Sequence, residues 1–220
     1  MVKLIIFDMD GVILDSERVA NLAWFEVSKK YNLGLTLERL REIKGGTSVR
    51  TLGILSGLVG EERAKQVLKD KKEIQLEIMK QEGGVKLKKG VEELLKHIKK
   101  IGLKCVVATS TSRESATKLL KDTGVFDYFD DLVFGDEVEN GKPAPDIFLK
   151  ACERFNVKPS EAFVIEDSVL GATAANRAGI KCFVVEDTIQ FTKEEDRLAY
   201  RKFESLLGVK EFLVDNYTKL

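Results

Sequence analysis

Five short runs of almost unbroken apolar residues limit what this chain can fold into: VKLIIFD (2–8), LKCVVAT (103–109), DLVFG (131–135), AFVIED (162–167) and KCFVVED (181–187). A strand with one face in water alternates apolar and polar residues, whereas a strand covered on both faces reads as a continuous apolar run. Helical patterns near 89–101, 113–123, 145–155 and 169–178 separate most of these runs. That alternation predicts an α/β fold, a Rossmann-like parallel sheet with helices on both faces.

One stretch breaks the rhythm. From about residue 16 to 83 there is no strand pattern, only amphipathic helical ones. ERVANLAWFEVSKKYNL sets Val19, Ala23 and Val27 along one side, with Leu22 and Trp24 broadening it. EERAKQVLKDKKEIQLEIMKQ adds Val67, Leu68, Ile74 and Ile78. Such a block is too long for one crossover and has no strand to give the sheet. The expectation is an all-helical cap domain at 15–83, inserted after strand one of a discontinuous core at 1–14 and 84–220. By length alone, 220 residues suggest about 1.5 domains, which this division accommodates. The C-terminal stretch reads as a charged helix around 192–206, followed by packing of Val209, Phe212 and Leu213.

Lys plus Arg and Asp plus Glu both number 36, so no basic excess exists to collect phosphates and no nucleic-acid partner is expected. No run approaches the length of a membrane span, and MVKLIIFDMDG is too short for a signal segment. Cys105, Cys152 and Cys182 are widely spaced, without the pattern of a zinc knuckle or disulfide framework. His97, the single histidine, sits in a helical pattern with no metal-ligand motif around it. A cytoplasmic protein with no membrane association is expected.

The chemistry gathers where the apolar runs end. Asp8 and Asp10 close the first run two residues apart, so on a strand they point the same way, and Gly11 permits a tight exit or close ligand approach. Such a pair alone also fits a solvated loop. A second acid pair, Glu166 and Asp167, closes another run, and strand ends are where open α/β sheets build their sites. Four carboxylates converging would repel unless a cation intervenes, and Mg²⁺ prefers oxygen ligands. Thr109 and Ser110 end a third run with hydroxyls and backbone N–H groups suited to an anion. Lys142, in GKPAPD, adds a cation on a loop stiffened by two prolines. Together these describe a site for a phosphate and Mg²⁺. In the helical block, KGGTSVR (44–50) offers Lys44 and Arg50, the latter able to hold a distal phosphate bidentately. Trp24 fits either the pocket wall or the core of its helix layer.

This series resembles the haloacid dehalogenase superfamily in motif order and in the helical block after the first motif: DMDGV (8–12), ATS (108–110), GKPAPD (141–146) and IEDS (165–168). FDMDGVILDSE, KGGTSVR and KPAPDIF are similar to the branch of β-phosphoglucomutases and small sugar-phosphate phosphatases. The resemblance implies a phosphomonoesterase acting on a small phosphorylated metabolite, with Asp8 as nucleophile and Asp10 as general acid and base. It implies Thr109 on a phosphoryl oxygen, Lys142 as charge compensator, and Mg²⁺ on Asp8, the Asp10 backbone carbonyl and Asp167, with Glu166 nearby or ligating. Gly11, Ser110, Lys44, Arg50 and Trp24 become candidate substrate contacts. The alternative is intramolecular transfer between glucose phosphates, for which mutases of this branch carry a histidine in the first cap helix; here that place is Ala20. Asp15 and Ser16 read as hinge or helix-start residues. A monomer is expected, since the cap already shields the site, with a dimer left open.

Overall fold

The computed structural model describes residues 2–188 and 190–217. β1 (Leu4–Phe7) gives way, after a short turn, to four helices: α1 (Ser16–Tyr31), α2 (Leu37–Ile43), α3 (Ser48–Val59) and α4 (Glu61–Gln81). The chain then returns through α5 (Val91–Lys100) to β2 (Lys104–Thr109), α6 (Arg113–Asp122) and β3 (Asp131–Phe134). From α7 (Asp146–Arg154) it runs through β4 (Ala162–Glu166), α8 (Val169–Arg177), β5 (Lys181–Val185) and β6 (Arg201–Phe203) to α9 (Leu206–Asn216). The sheet order is β3-β2-β1-β4-β5-β6, with every pair parallel.

Continuous apolar strands are needed because both faces are covered. Ile5, Phe7, Val107, Phe163 and Ile165 point into one cluster with α5, α6 and α9, while Leu4, Ile6, Val106, Ala108 and Val164 point into the other with α7 and α8. Each large apolar side chain buried there contributes about 1.5–3 kcal/mol. α5 shows how the helices match: Val91, Leu94, Leu95 and Ile98 recur at helical spacing and all are buried. The chain runs from β1 to β2 and β3, then crosses back to the other side of β1 as β4. This reversal places a crevice at the carboxyl ends of β1 and β4.

The four-helix insertion has its own smaller cluster of Trp24, Val27, Ile43, Leu55, Ala64 and Val67. Its entry and exit segments are tied together: Asp15 N–H donates to Lys86 O (2.8 Å), Lys88 N–H donates to Ile13 O (2.9 Å), and Leu14 bridges Leu87. Gly83 and Gly84 have φ of 77° and 109°, a conformation that favours glycine at the exit. Leu22 does not broaden the apolar face as expected; it is 44% exposed. The buried arc of α1 runs from Val19 through Ala23 to Trp24, and Leu22 falls about 60° outside it at roughly 100° per residue.

The expected helix at 192–206 is also corrected. Only Glu195–Leu198 forms a short 3₁₀ turn, and Arg201–Phe203 adds the edge strand β6 to β5. Pairing with β5 satisfies backbone groups along an otherwise open edge, and exposed Arg201 and Lys202 suit an edge position. Val209 and Leu213 are buried in α9, where Phe212 meets Phe183 at 5.1 Å between ring centroids. Among the described residues, no helix is long and apolar enough to cross a membrane.

Candidate active site

Asp8 follows β1 directly, its N–H donating to Ile165 O (2.9 Å), so its backbone is fixed by the neighbouring strand. The residue is buried, and its Oδ1 accepts from Lys142 Nζ at 2.5 Å. The same ammonium donates to Glu166 Oε1 at 2.6 Å. Glu166, at the end of β4, is fully buried, and its Oε2 accepts from the N–H groups of Asp167 and Ser168 and from Ser168 Oγ, each at 2.9 Å. Both Glu166 oxygens are therefore engaged. A Cβ on Gly171 would lie 1.7 Å from Glu166 Oε1, so glycine there makes room for the carboxylate. Burial opposes the charge on Lys142, but Asp8 and Glu166 outweigh it and raise its pKa above the ordinary lysine value.

Asp10 is held differently. Its Oδ1 accepts from Ser16 Oγ (2.6 Å) and its Oδ2 from Thr111 Oγ1 (2.7 Å). Hydroxyls accept as well as donate, so this pair accommodates the carboxyl with or without a proton. Thr109 is buried at the end of β2, and its Oγ1 accepts from Thr111 N–H (3.0 Å). Ser110 Oγ donates to Gly45 O (3.2 Å), joining the sheet side to the insertion.

Oxygen atoms of Asp8, Glu166 and Asp167 lie within 4.8 Å of one another, all three residues buried. Asp167 Oδ2 is buried without a hydrogen bond, although Lys44 Nζ lies 2.7 Å away, a charge contact without hydrogen-bond alignment. A Cβ on Gly11 would come within 2.0 Å of that oxygen, so Gly11 leaves space beside it. Hard oxygen donors and an unsatisfied buried carboxylate fit a small divalent cation. Burial raises the Asp8 and Asp167 pKa values, against the attraction of Lys142 on the first and Lys44 on the second, and neighbouring carboxylates push both further.

The crevice opens into a cavity of about 1060 Å³ shared by the core and the insertion. Asp8, Asp10, Thr109 and Ser110 line it from the sheet, Lys44 and Trp24 from the helices. Trp24 fills both expected places, since it also belongs to the insertion's cluster and is only 6% exposed. Arg50 does not join them: it is exposed, outside the cavity wall, with Nε donating to Glu42 O (3.2 Å). Asp15 lies in the linker near Arg18 (3.4 Å) and makes no cap hydrogen bond for α1.

Four further cavity residues escaped sequence reasoning. Ser16 opens α1 as expected, and its hydroxyl also donates to Asp10, six residues back, a role its place at the helix start did not signal. Thr111 could have been found, because it follows Thr109 at the two-residue spacing that keeps side chains on one face. Glu17 and Lys71 gave no signal, looking like surface charges on amphipathic helices. Glu17 is half-buried, and desolvation raises its pKa to about 7 despite Lys44, with Asp10 pushing the same way as burial. Lys71 Nζ donates to Gln75 Oε1 (2.5 Å) and lies 5.2 Å from the Trp24 ring centroid; burial lowers its pKa.

The model of the haloacid dehalogenase-like hydrolases matches residues 5–185. A phosphorylated carbohydrates phosphatase of Thermotoga maritima is 37% identical over 184 residues, spanning 81% of this chain and 82% of that protein. Fructose-1-phosphate phosphatase YqaB of Escherichia coli is 33% identical over 180 residues, 80% of this chain and 92% of that one. Among solved structures, a hydrolase from Pseudomonas syringae superposes with a TM-score of 0.83 at 27% identity, covering 97% of this chain and 99% of its own.

Proposed function

The chain belongs to the haloacid dehalogenase-like hydrolase family and is a phosphatase, and from that premise we propose that it hydrolyses a small sugar phosphate through a phosphoaspartyl intermediate on Asp8, with Mg²⁺ as cofactor. The observation that carries this reading is the Asp8 carboxylate, buried at the end of β1, fixed by Lys142 and followed two residues later by Asp10 between two hydroxyls. Residues 15–83 serve as the cap and 1–14 with 84–220 as the catalytic core.

The Asp8 carboxylate attacks phosphorus, forming an O–P bond as the bond to the sugar oxygen breaks. Asp10 gives its proton to that departing oxygen. It then takes a proton from the water that attacks the phosphoaspartate, releasing phosphate and restoring Asp8. Ser16 and Thr111 keep Asp10 pointed at the leaving group through both steps. Thr109 presents its hydroxyl to a phosphoryl oxygen, while the Ser110 hydroxyl is committed to Gly45 O. Lys142 offsets the repulsion between an anionic nucleophile and an anionic ester. When bound at Asp8, Asp167 and the Asp10 backbone carbonyl, Mg²⁺ supplies further positive charge to the phosphoryl oxygens. Glu166 fits better as the holder of Lys142 than as a ligand, because both its oxygens already accept hydrogen bonds.

Support for the sugar is coarser: relatives named for carbohydrate phosphates, and a cavity whose Glu17, Asn21, Lys71 and Gln75 offer hydrogen bonds beside the Trp24 ring. Intramolecular transfer is not better supported. Ala20, buried, stands where mutases of this branch carry a histidine. The test is a panel of sugar phosphates assayed with Mg²⁺ and again after chelation. Metal-dependent phosphate release is expected. Conversion of β-glucose 1-phosphate to glucose 6-phosphate without free phosphate would replace hydrolysis by the mutase reading.

A further inference from the structure

Among the described residues of the insertion, Lys44 is the one whose ammonium forms an ion pair with the acid cluster. It closes α2 and the chain turns sharply there, Gly45 following at φ 75°. The next residues dock closely on the sheet side. A Cβ on Gly45 would come within 2.3 Å of Ser168 Oγ, and one on Gly141 within 2.3 Å of Thr47 Cγ2. Ser110 Oγ holds Gly45 O. The loop thereby delivers Lys44 Nζ to Asp167 Oδ2 at 2.7 Å, the lysine side chain 4% and the aspartate side chain 2% exposed. Thr188 Oγ1, at 3.4 Å, is the one hydrogen-bond partner of that ammonium among the described residues.

The charges around this contact do not balance. Among the groups joined by ion pairs, Asp8, Glu166 and Asp167 bring three negative charges and Lys142 and Lys44 two positive ones, while Glu17 and Asp187 act on Lys44 without an ion pair to it. Without Lys44 the deficit is two, the charge of one divalent cation. With Lys44 and a divalent cation together, the buried cluster carries an excess positive charge, which a desolvated site opposes strongly. A phosphoryl dianion would remove that excess and let both cations remain.

We propose that Lys44 is a tethered competitor of the catalytic cation: when no phosphoryl group is bound, the docked 44–47 loop and a divalent metal on Asp167 disfavour each other, and the substrate's phosphate makes them compatible. This rests on the metal reading given above. It makes Lys44 a positioning residue that couples loop docking, metal occupancy and substrate charge. A cap docked without substrate would hold the metal weakly, and a metal-loaded enzyme would keep the loop open until an anion arrives.

The test is Mg²⁺ binding by calorimetry to the full chain, with and without inorganic phosphate, in wild type and Lys44→Met. Without phosphate, Lys44→Met should bind Mg²⁺ about tenfold more tightly, within the usual 5–150-fold range of coupling between sites. Phosphate should tighten Mg²⁺ binding in wild type more than in the variant. Equal or weaker Mg²⁺ binding by Lys44→Met would overturn the competition. Asp167→Asn tests the metal reading separately: if it abolishes Mg²⁺ binding while Lys44→Met changes nothing, the site stands and this inference falls. Hydrogen exchange on wild type gives a readout that needs no variant. Mg²⁺ alone should speed exchange at 44–47, and Mg²⁺ with phosphate should slow it; no change with Mg²⁺ alone would also overturn the proposal.

Discussion

The sheet-based core and the helical insertion solve the burial problem in different ways, and the site takes something different from each. In the core, strands covered on both faces bury Phe7, Phe134, Phe148, Phe163 and Phe183 completely. The residues at their ends, and Lys142 from the loop before α7, share that rigidity: Asp8, Thr109, Lys142, Glu166 and Asp167 are all buried and, Asp167 Oδ2 apart, hydrogen-bonded to one another or to backbone. The insertion has six buried residues in its main cluster and relies on half-buried neighbours such as Leu52, Leu68 and Ile74. It meets the core through a paired linker, the short loop around Lys44, and Arg41 of α2, which donates to Gln190 O and pairs with Glu195. In the proposed reaction the reacting groups sit on the more deeply buried part and the groups facing the rest of the substrate on the insertion. That division would suit phosphoryl transfer, which tolerates little misplacement at phosphorus while entry and release require opening.

The contrast is broken most directly at Asp8. Asp8→Asn should reduce turnover to background in a protein that unfolds at the same or a higher temperature, since one of several crowded carboxylates loses its charge. Wild-type turnover in a folded variant would remove the nucleophile from the core. Lys142→Met should abolish activity and also lower stability by about 3–5 kcal/mol, because Asp8 and Glu166 lose their buried partner; urea denaturation measures the second effect. Paired truncations then compare the layers. Phe163→Ala should cost about 3–5 kcal/mol and accelerate hydrogen exchange throughout the sheet. Leu55→Ala should accelerate exchange mainly in α1–α4 and change KM more than kcat. Equal spread of exchange in both would mean that the layers unfold as one unit.

Smaller effects sharpen the account of Asp10. Ser16→Ala and Thr111→Ala should each lower kcat about 10–100-fold with little change in stability, the range expected for a hydrogen bond to a charged group. The weakest effect concerns pH. The Glu17 pKa rises from 4.5 to about 7 on folding, so between those values the folded state binds more protons than the unfolded one. Stability should therefore fall as pH rises through this window, and Glu17→Gln should flatten part of the slope. Asp8 and Asp167, also raised, leave the remainder.

The sequence by itself determined five of the sheet's six strands, the helical block after β1 and the strand-end positions of the acids, Thr109 and Ser110. Those follow from periodicity and covalent spacing, which act over a few residues and survive into any fold that buries the pattern. β6 was illegible because RKF has no apolar period; it is a strand only because β5 offers an edge to pair with. The tertiary structure also decided that Ser16 and Thr111 share Asp10, that Arg50 turns outward to Glu42, and that Lys44 reaches Asp167. Lys44 and Asp167 are brought together by a helix end, a glycine turn and the packing of two layers. Their contact depends on the direction of whole elements in space, and residue types along the chain do not encode that direction locally.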